Sequence, residues 1–317
     1  MAFLSSSIND QRGETGLTTL SVGVCAPIYG GLQYLPDFIT SLLGQTRLPD
    51  QVSLVDNGNS SPISDYLESI RPDFHRKGIE LRITRLPINI GSTLGYNLAV
   101  SQLTTDIVVL TSSDDILVDS RIERAISSHE NGHSFVHSAF KYFGERSNIL
   151  KSTGNIFDLH LRMLFENSIG AVTVSLDTRA IPKGEIAFFQ HRQGADDYAL
   201  WCHLLSRGVV PHYINEVLMN YRIHSQQVSS RFDYSKSNVL SLIQKEWFNS
   251  LFGQTAIIYS PIIMRVANAL VNSHPVRAHL SDSRVVKTIK KILEDHARVA
   301  PESISRTAQR ISDVFEN

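Results

Sequence analysis

Short apolar runs alternate with segments of helical periodicity along the first 115 residues. The runs at 20–26, 52–55 and 107–110 are typical of buried strands, and alternating apolar positions mark another strand at 81–86. Helical spacing of apolar residues separates these runs, most clearly after the first one, at Leu35, Phe38, Ile39, Leu42 and Leu43. Strands that alternate with helices predict an α/β fold with a mainly parallel sheet and right-handed crossovers.

Polar side chains follow the ends of these predicted strands. In open parallel sheets, ligands bind beyond the carboxyl ends of the strands, so residues at that edge are the first candidates for a binding site. The residues in these positions are Tyr29, Asp56, Asn57, Asn89 and Asp114.

The second half of the chain is less regular. A helix is predicted at 120–128, and a strand begins near residue 134. Another helix covers 197–205, with an apolar side formed by Tyr198, Trp201, Leu204 and Leu205. From about residue 230 onward the pattern predicts helices only. One stripe in this region, which we expect to pack on the preceding domain or on a second subunit, consists of Leu240, Ile243, Trp247 and Leu251.

Composition and charge narrow the functional class. The chain has 42% hydrophobic and 19% charged residues, as soluble globular proteins do. A net charge of -1 disfavours a nucleic-acid partner, because such proteins need a positive field to neutralise phosphates. Cys25 and Cys202 lie in separate apolar stretches, which predicts two buried thiols in a reducing, cytoplasmic setting. We expect no signal peptide at the N-terminus and no membrane-spanning segment, since polar residues interrupt the apolar stretch at 251–271.

The loops lack the usual phosphate-binding glycine motifs. No GxGxxG follows the first strand, and GxxxxGK[ST] does not occur in the sequence. A bound diphosphate would therefore need another source of positive charge, and a divalent cation is the usual substitute. The adjacent carboxylates Asp114 and Asp115 suit a hard cation such as Mg²⁺ or Mn²⁺, although a pair of this kind also occurs as a plain helix cap.

Seven segments in one order resemble motifs of the family 2 glycosyltransferases. They are APIYGGLQYLPDFITSLLGQT at 26–46, LVDNGNSS at 54–61, NIGSTLGYN at 89–97, LTSSDDILVDSRIERA at 110–125, NSIGAV at 167–172, ADDYALWCHLLSRG at 195–208 and MNYRIHSQQVS at 219–229. The resemblance implies the GT-A fold, with a Rossmann-like sheet that has helices on both faces. It implies a loose arm at 1–18, a nucleotide-binding half at 19–118, an acceptor-binding half at 119–229 and a helical extension at 230–317.

The resemblance assigns the nucleotide to the first half. Asp56 would accept a hydrogen bond from the imide of uracil or thymine, in a pocket lined by Pro27 and Tyr29. The same aspartate also has the pattern of an Asx-turn cap, and the two roles are compatible. The residues that would border the nucleotide are Asn57, Asn89 and Gly91.

A divalent cation is assigned to the DxD position. Asp114 would coordinate Mn²⁺ or Mg²⁺, with Ser113 and Asp115 beside it, and His224 would approach the metal or the diphosphate. Ser112 stands where the family has the first aspartate of DxD. This difference leaves open a catalytically impaired nucleotide-binding protein of the same fold.

Catalysis is assigned to the acidic pair Asp196 and Asp197. Asp197 aligns with the base that takes the proton of the acceptor hydroxyl during inversion. The resemblance thus implies a metal-dependent transferase, hexosyl or related, that uses a UDP- or dTDP-sugar. The acceptor would be a saccharide or a lipid-linked saccharide, in surface polysaccharide or O-antigen synthesis. A sugar-1-phosphate nucleotidyltransferase is the alternative enzyme, but it needs a basic glycine-rich loop, and residues 29–32 contain no Lys or Arg.

The C-terminal region carries two weaker predictions. The cluster of Lys287, Lys290 and Lys291 is a candidate contact with anionic lipid, which would make the protein peripheral on the inner face of the membrane. A solvated helix face is the alternative interpretation of these lysines. A second copy of the chain, as a homodimer, is a further candidate partner.

Overall fold

The structure is a computed structural model that describes most of the chain between residues 19 and 252. The described residues are 19–145, 147–152, 154, 159–160, 162–163, 166–192, 194–225, 227 and 238–252, of which 248–249 and 251–252 are described by their backbone alone. The predicted arm at 1–18 and the lysine cluster of the C-terminal region lie outside the described residues.

Four parallel strands form one half of the sheet. They are β1 (Val22–Ile28), β2 (Gln51–Asn57), β3 (Glu80–Leu86) and β4 (Ile107–Leu110), in the order β3-β2-β1-β4. The helices between them are α1 (Leu35–Leu43), α2 (Ser61–Ser69), α3 (Arg71–Arg76) and α4 (Ser92–Ser101). The alternation of strands and helices predicted from the apolar pattern is therefore confirmed.

Short antiparallel pairings extend the sheet beyond β4. The further elements are β5 (Ile116–Leu117), α5 (Arg121–Glu130), β6 (Phe135–Gly144), β7 (Ile149–Leu150), β8 (Ser175–Asp177), α6 (Asp196–Ser206), β9 (Pro211–Ile223) and α7 (Val239–Phe252). The order continues β4-β8-β6-β9-β5, with β7 paired to β6. β8 runs antiparallel to β4 and to β6, whereas β9 runs parallel to β6. The predicted α/β fold is confirmed, and its parallel pairings are those among the first four strands and that of β6 with β9.

Helices cover both faces of the sheet because the central strands are apolar on both sides. In β1, Val22 and Val24 pack into one core cluster with α1, α2, α3 and α5, whereas Cys25 packs into the other. β4 divides in the same way, with Val108 in the cluster of Cys25 and Val109 in the opposite one. Strands that are buried on both faces appear in sequence as continuous apolar runs, which explains why the apolar runs in the first 115 residues predicted these strands.

Two helices of the second half pack on the same face as α4. The predicted apolar side of α6 is confirmed, since Tyr198, Trp201, Leu204 and Leu205 are all buried. In α7, Ile243 and Trp247 are buried in this cluster, and the Trp247 indole donates to the His160 carbonyl oxygen over 3.0 Å. The stripe predicted after residue 230 thus packs on the α/β domain, with the side chain of Leu251 outside the description.

Two further expectations can be compared with the structure. Cys25 and Cys202 are free and buried, as predicted, and burial raises the pKa of both thiols. Within the part of the chain that the structure describes, no helix has the length and apolar content needed to cross a membrane.

Candidate active site

The loop after β2 is fixed by a buried aspartate. Asp56 is 1% exposed, and its carboxylate accepts hydrogen bonds from the Ser64 hydroxyl and from the Asn59 backbone and side chain, at 3.2 and 2.8 Å for the latter two. Asn59 also reaches the loop after β1, where it donates to the Ile28 carbonyl and accepts from the Gly30 amide, each over 2.7 Å. Asp56 therefore holds the turn after β2, and its contact with a base stays a prediction. Asn59 was not among the predicted site residues, although it lies in the polar turn NGNSS that follows Asp56.

Asn57 and Asn89 shape the loop that precedes α4. The Asn57 side chain accepts from the Ile90 amide over 2.9 Å and donates to the Gly91 carbonyl over 3.1 Å, while Asn89 accepts from the Gly91 amide over 2.7 Å. Gly91 has φ +87°, a left-handed conformation that glycine adopts without strain. These contacts fix the N-terminus of α4 at the carboxyl edge of the sheet.

Pro27 and Tyr29 lie at the end of β1. A Cβ atom on Gly95 would be 2.8 Å from that of Pro27, so α4 packs closely over this proline. Tyr29 is 61% exposed, and its contact with a base stays a prediction.

Asp114 and His224 come together although 110 positions separate them in the chain. The Oδ2 atom of Asp114 lies 3.0 Å from Nε2 of His224, and its Oδ1 atom accepts a hydrogen bond from the Ser112 hydroxyl. Tyr34 packs against the His224 ring with centroids 4.7 Å apart. The sequence-predicted metal residues are thus brought together at the end of β4, with Ser113 half-buried beside them.

Arg222 joins this site to the end of β9. Its backbone amide donates to the Asp115 carboxylate, and its guanidinium donates to the Asp114 carbonyl and to the Asp37 carboxylate, each over 2.8 Å. Asp115 is buried, and burial together with the charge of Asp114 raises its pKa well above the usual range. Asp115 therefore serves here as an anchor for β9. Arg222 was not among the predicted site residues, although it belongs to the motif that carries His224.

Asp196 and Asp197 begin α6 with different partners. Asp196 accepts from the Thr93 hydroxyl of α4 over 2.6 Å. Asp197 accepts from its neighbour's amide, that of Tyr198, over 2.7 Å and from the Asn167 side chain over 2.9 Å. Burial and the charge of Asp196 raise the pKa of Asp197 to about 7. A carboxylate with a pKa near neutrality is suited to accept a proton in catalysis.

Tyr96 of α4 lies near members of both acidic pairs. Its hydroxyl donates to the Thr111 carbonyl over 2.8 Å, and its ring stacks on Phe188. The pKa of Tyr96 is raised by burial, then by Cys25, and then by Asp114, Asp115 and Asp196. Asp114, Asp115 and Asp196 therefore lie within electrostatic reach of one partly buried side chain. Neither Tyr96 nor Thr93 was predicted as a site residue, and their position in NIGSTLGYN was the only signal.

The residues at Asp114 suit a divalent cation whose remaining ligands come from a substrate. Among the described residues, no group of three or more His, Cys, Asp and Glu side chains is arranged to hold a metal ion. Asp114, His224 and Ser112 offer a carboxylate, an imidazole and a hydroxyl, a donor set that Mn²⁺ and Mg²⁺ accept. Diphosphate oxygens and water would complete such a site.

Comparisons with known proteins agree with these features. Residues 23–210, more than half of the chain, match the family described as Glycosyl transferase family 2. The amylovoran biosynthesis glycosyltransferase AmsE of Erwinia amylovora is 28% identical over 214 residues, which are 65% of this chain and 77% of that protein. The structure of S. aureus TarS 1-349 with UDP-GlcNAc has a TM-score of 0.60 at 14% identity, over 92% of this chain and 88% of that one.

A second solved structure extends the comparison. The mannosyltransferase PcManGT from Pyrobaculum calidifontis, in complex with GDP-Man and Mn²⁺, has a TM-score of 0.51 at 12% identity, over 95% of this chain and 89% of that one. At these identities the structural likeness establishes the shared fold.

Proposed function

Since this chain belongs to glycosyl transferase family 2, we propose that it moves a sugar from a UDP- or dTDP-sugar to a saccharide hydroxyl, with inversion at the anomeric carbon. One observation carries this proposal. Helix α4 is bonded to the segments that carry both acidic pairs, since Thr93 donates to Asp196 and Tyr96 donates to the Thr111 carbonyl next to Ser112, so a diphosphate group and a proton acceptor would share one site. An inverting transfer needs these two components on opposite sides of the reacting carbon.

Asp197 is the proposed general base. Its carboxylate takes the proton of the acceptor hydroxyl while the oxygen attacks the anomeric carbon and the bond to the nucleotide diphosphate breaks. A pKa of about 7 leaves a large part of Asp197 ionised at neutral pH, yet gives it more basicity than an ordinary carboxylate. One base and one displacement account for the transfer without a covalent intermediate.

Asp114 and His224 are the proposed ligands of Mn²⁺ or Mg²⁺. A bound cation supplies positive charge for the departing diphosphate. Ser112 donates a hydrogen bond to Asp114 and thereby orients the carboxylate that would hold this cation. Arg222 holds the same segment through the Asp114 carbonyl, so the loop keeps its shape without a first DxD aspartate.

The donor and the acceptor are proposed from different observations. The exposed ring of Tyr29 follows the end of β1 two residues after Pro27, where we propose that it contacts the base, and TarS was solved with UDP-GlcNAc. The name of AmsE refers to amylovoran biosynthesis, which supports a saccharide acceptor in surface polysaccharide assembly. We propose a cytoplasmic location for the reaction, where nucleotide-sugars are made.

A donor panel tests the proposal. The protein is incubated with UDP-, dTDP- and GDP-sugars, with Mn²⁺ or with EDTA, and release of free nucleotide is followed. We expect slow release from a UDP- or dTDP-sugar in Mn²⁺, and a loss of most of it in EDTA or in Asp114→Ala. The exposed Asp119 provides a matched control, since Asp119→Ala removes the same charge from the neighbouring loop, which follows β5. Release that is equal in Mn²⁺ and in EDTA would show that the cation assignment is wrong, and the absence of release from every donor would favour the catalytically impaired protein.

A further inference from the structure

The side-chain amide of Asn167 lies against the carboxylate of Asp197. Its Nδ2 atom donates to Oδ2 of Asp197 over 2.9 Å, across 30 positions in the chain. The other carboxylate oxygen accepts from the Tyr198 amide over 2.7 Å, a bond within the first turn of α6. Each oxygen thus has a fixed donor, and the carboxylate retains a lone pair for a further partner.

The orientation of the Asn167 amide is determined by its other end. Its Oδ1 atom accepts a hydrogen bond from the Ile169 backbone amide over 3.2 Å. A backbone N–H can only donate, so the side chain must present oxygen to Ile169 and nitrogen to Asp197. The exchange of these two atoms would place oxygen against a carboxylate and leave both contacts repulsive.

The loop that carries Asn167, at residues 166–170, is attached to the helix that carries Asp197. The Trp201 indole, one turn further along α6, donates to the Ile169 carbonyl over 3.1 Å, and both residues are fully buried. On the other side, Gly170 packs so closely on the Phe140 ring that a Cβ atom would lie 2.9 Å from it. Asn167 is therefore held in a fixed position relative to Asp197.

We propose that Asn167 is a positioning residue of the transfer reaction, which holds the Asp197 carboxylate in one orientation and leaves its open lone pair toward the acceptor hydroxyl. The inference rests on the proposed function, because it takes Asp197 as the base. It assigns a role in catalysis to the loop at 166–170 through one defined hydrogen bond.

The electrostatic surroundings of Asp197 agree with this role. Burial and Asp196 raise the pKa of Asp197, while the N–H groups of Tyr198 and Asn167 lower it. Two other titratable neighbours on α6, Tyr198 and Cys202, are kept neutral because burial raises the pKa of each. Glu166 acts on the pKa of Tyr198. The charged neighbour that raises the pKa of Asp197 is Asp196. Without Asn167, the charged carboxylate would lose a donor and would need a higher pH to form.

The pH dependence of kcat tests the proposal. Asn167→Leu keeps the branched shape of the side chain and removes its donor, and we expect the acid limb of the profile to move to higher pH by about one unit, which lowers kcat at pH 7 by about five-fold. Asn167→Asp should move the acid limb further, because it keeps the shape of the side chain and adds a negative charge beside Asp197. Asn167→Gln keeps the amide and should recover part of the loss. The buried hydroxyl of the neighbouring Ser168 has no hydrogen-bond partner among the described residues, so Ser168→Ala should leave the profile in place.

The outcomes separate this inference from the proposed function. An unchanged acid limb and kcat in both Asn167→Leu and Asn167→Asp, alongside an inactive Asp197→Asn, would overturn the role of Asn167 alone. An active Asp197→Asn would overturn the proposed base itself. A loss of kcat in Asn167→Leu without any shift of the limb would indicate a merely structural role. Circular dichroism checks the fold, and if Asn167→Leu does not fold, Asn167→Asp carries the test.

Discussion

At the residue scale, Asp196 and Asp197 differ in their surroundings although they are adjacent in the chain. Asp196 is bonded to Thr93, which ties the start of α6 to α4. Asp197 is bonded to Asn167, and its pKa is raised to about 7. The same sequence pair therefore provides an anchor and the candidate proton acceptor, because successive positions on a helix project in different directions.

Replacement of Asp197 tests the base directly. Asp197→Asn keeps the size of the side chain and removes its basicity, so we expect transfer to fall by about 10²–10⁴-fold, the usual contribution of a general base. Nucleotide binding, measured by calorimetry, should stay near the wild-type value. Asp196→Asn is the matched variant and should have the milder effect. The reverse order of effects would mean that Asp196 is the base.

The pH profile provides a second test at this scale. A base must be ionised to act, so the transfer rate should fall as the pH is lowered through about 7, the pKa of Asp197. The negative charge of Asp196 helps to raise that pKa, and Asp196→Asn should therefore move the acid limb of the profile to lower pH. A limb that moves to higher pH in this variant would contradict the electrostatic explanation.

At the scale of elements, two loops of the nucleotide-binding half are pressed together at a glycine. Gly58 follows β2 with φ +75°, and a Cβ atom at this position would overlap the backbone of Ile88 and Asn89. The conformation of the loop that leads into α4 therefore requires a glycine at position 58, directly after β2. This contact links the turn of Asp56 to the loop of Asn89 and Gly91.

Substitution of this glycine should affect both stability and binding. Gly58→Ala adds the strain of a left-handed residue, about 1–2 kcal/mol, and in addition displaces the Asn89 loop. Gly78→Ala is a matched control, because Gly78 has φ +71° and open space around the Cβ position. We expect both variants to unfold at lower denaturant concentration and Gly58→Ala alone to bind UDP more weakly, as measured by urea titration and calorimetry. Equal UDP affinities would show that the loop contact is unimportant for the nucleotide.

At the scale of the whole molecule, α7 is part of the core of the domain. Ile243 and Trp247 are buried in the cluster that also contains Tyr198 and Trp201 of α6. The Trp247 indole is further held by the His160 carbonyl. The helix that carries the candidate base therefore lies between the sheet and the first part of the C-terminal extension.

Truncation of Trp247 should destabilise the whole domain. Trp247→Ala removes a large buried side chain, and we expect a loss of about 3–5 kcal/mol in the free energy of unfolding, seen in one cooperative transition. Leu242→Ala on the exposed side of the same helix should cost much less. The measurement is urea unfolding followed by circular dichroism. A separate early transition for Trp247→Ala, with the main transition unchanged, would mean that α7 folds independently of the domain.

Local patterns in the sequence were enough to predict the first four strands, one helix after each of the first three strands and the buried side of α6. These features follow local rules, since a strand buried on both faces is a continuous apolar run and a packed helix repeats every three to four residues. The order of the motifs also indicated the family and placed the candidate residues at the ends of strands. Such signals can be read because each of them depends on neighbours within a few positions.

Tertiary structure alone decided how these residues meet. The Asp114–His224 contact, the Thr93–Asp196 bond and the hold of Arg222 on Asp37 each join positions more than 100 apart. They depend on β9 running parallel to β6, with β8 inserted between β4 and β6. No local periodicity encodes that order, because hydrogen bonds between strands form equally well with several partners. Asn59, Asn167 and Tyr96 were overlooked for the same physical reason, since a polar side chain acquires its role from a partner that only the folded chain provides.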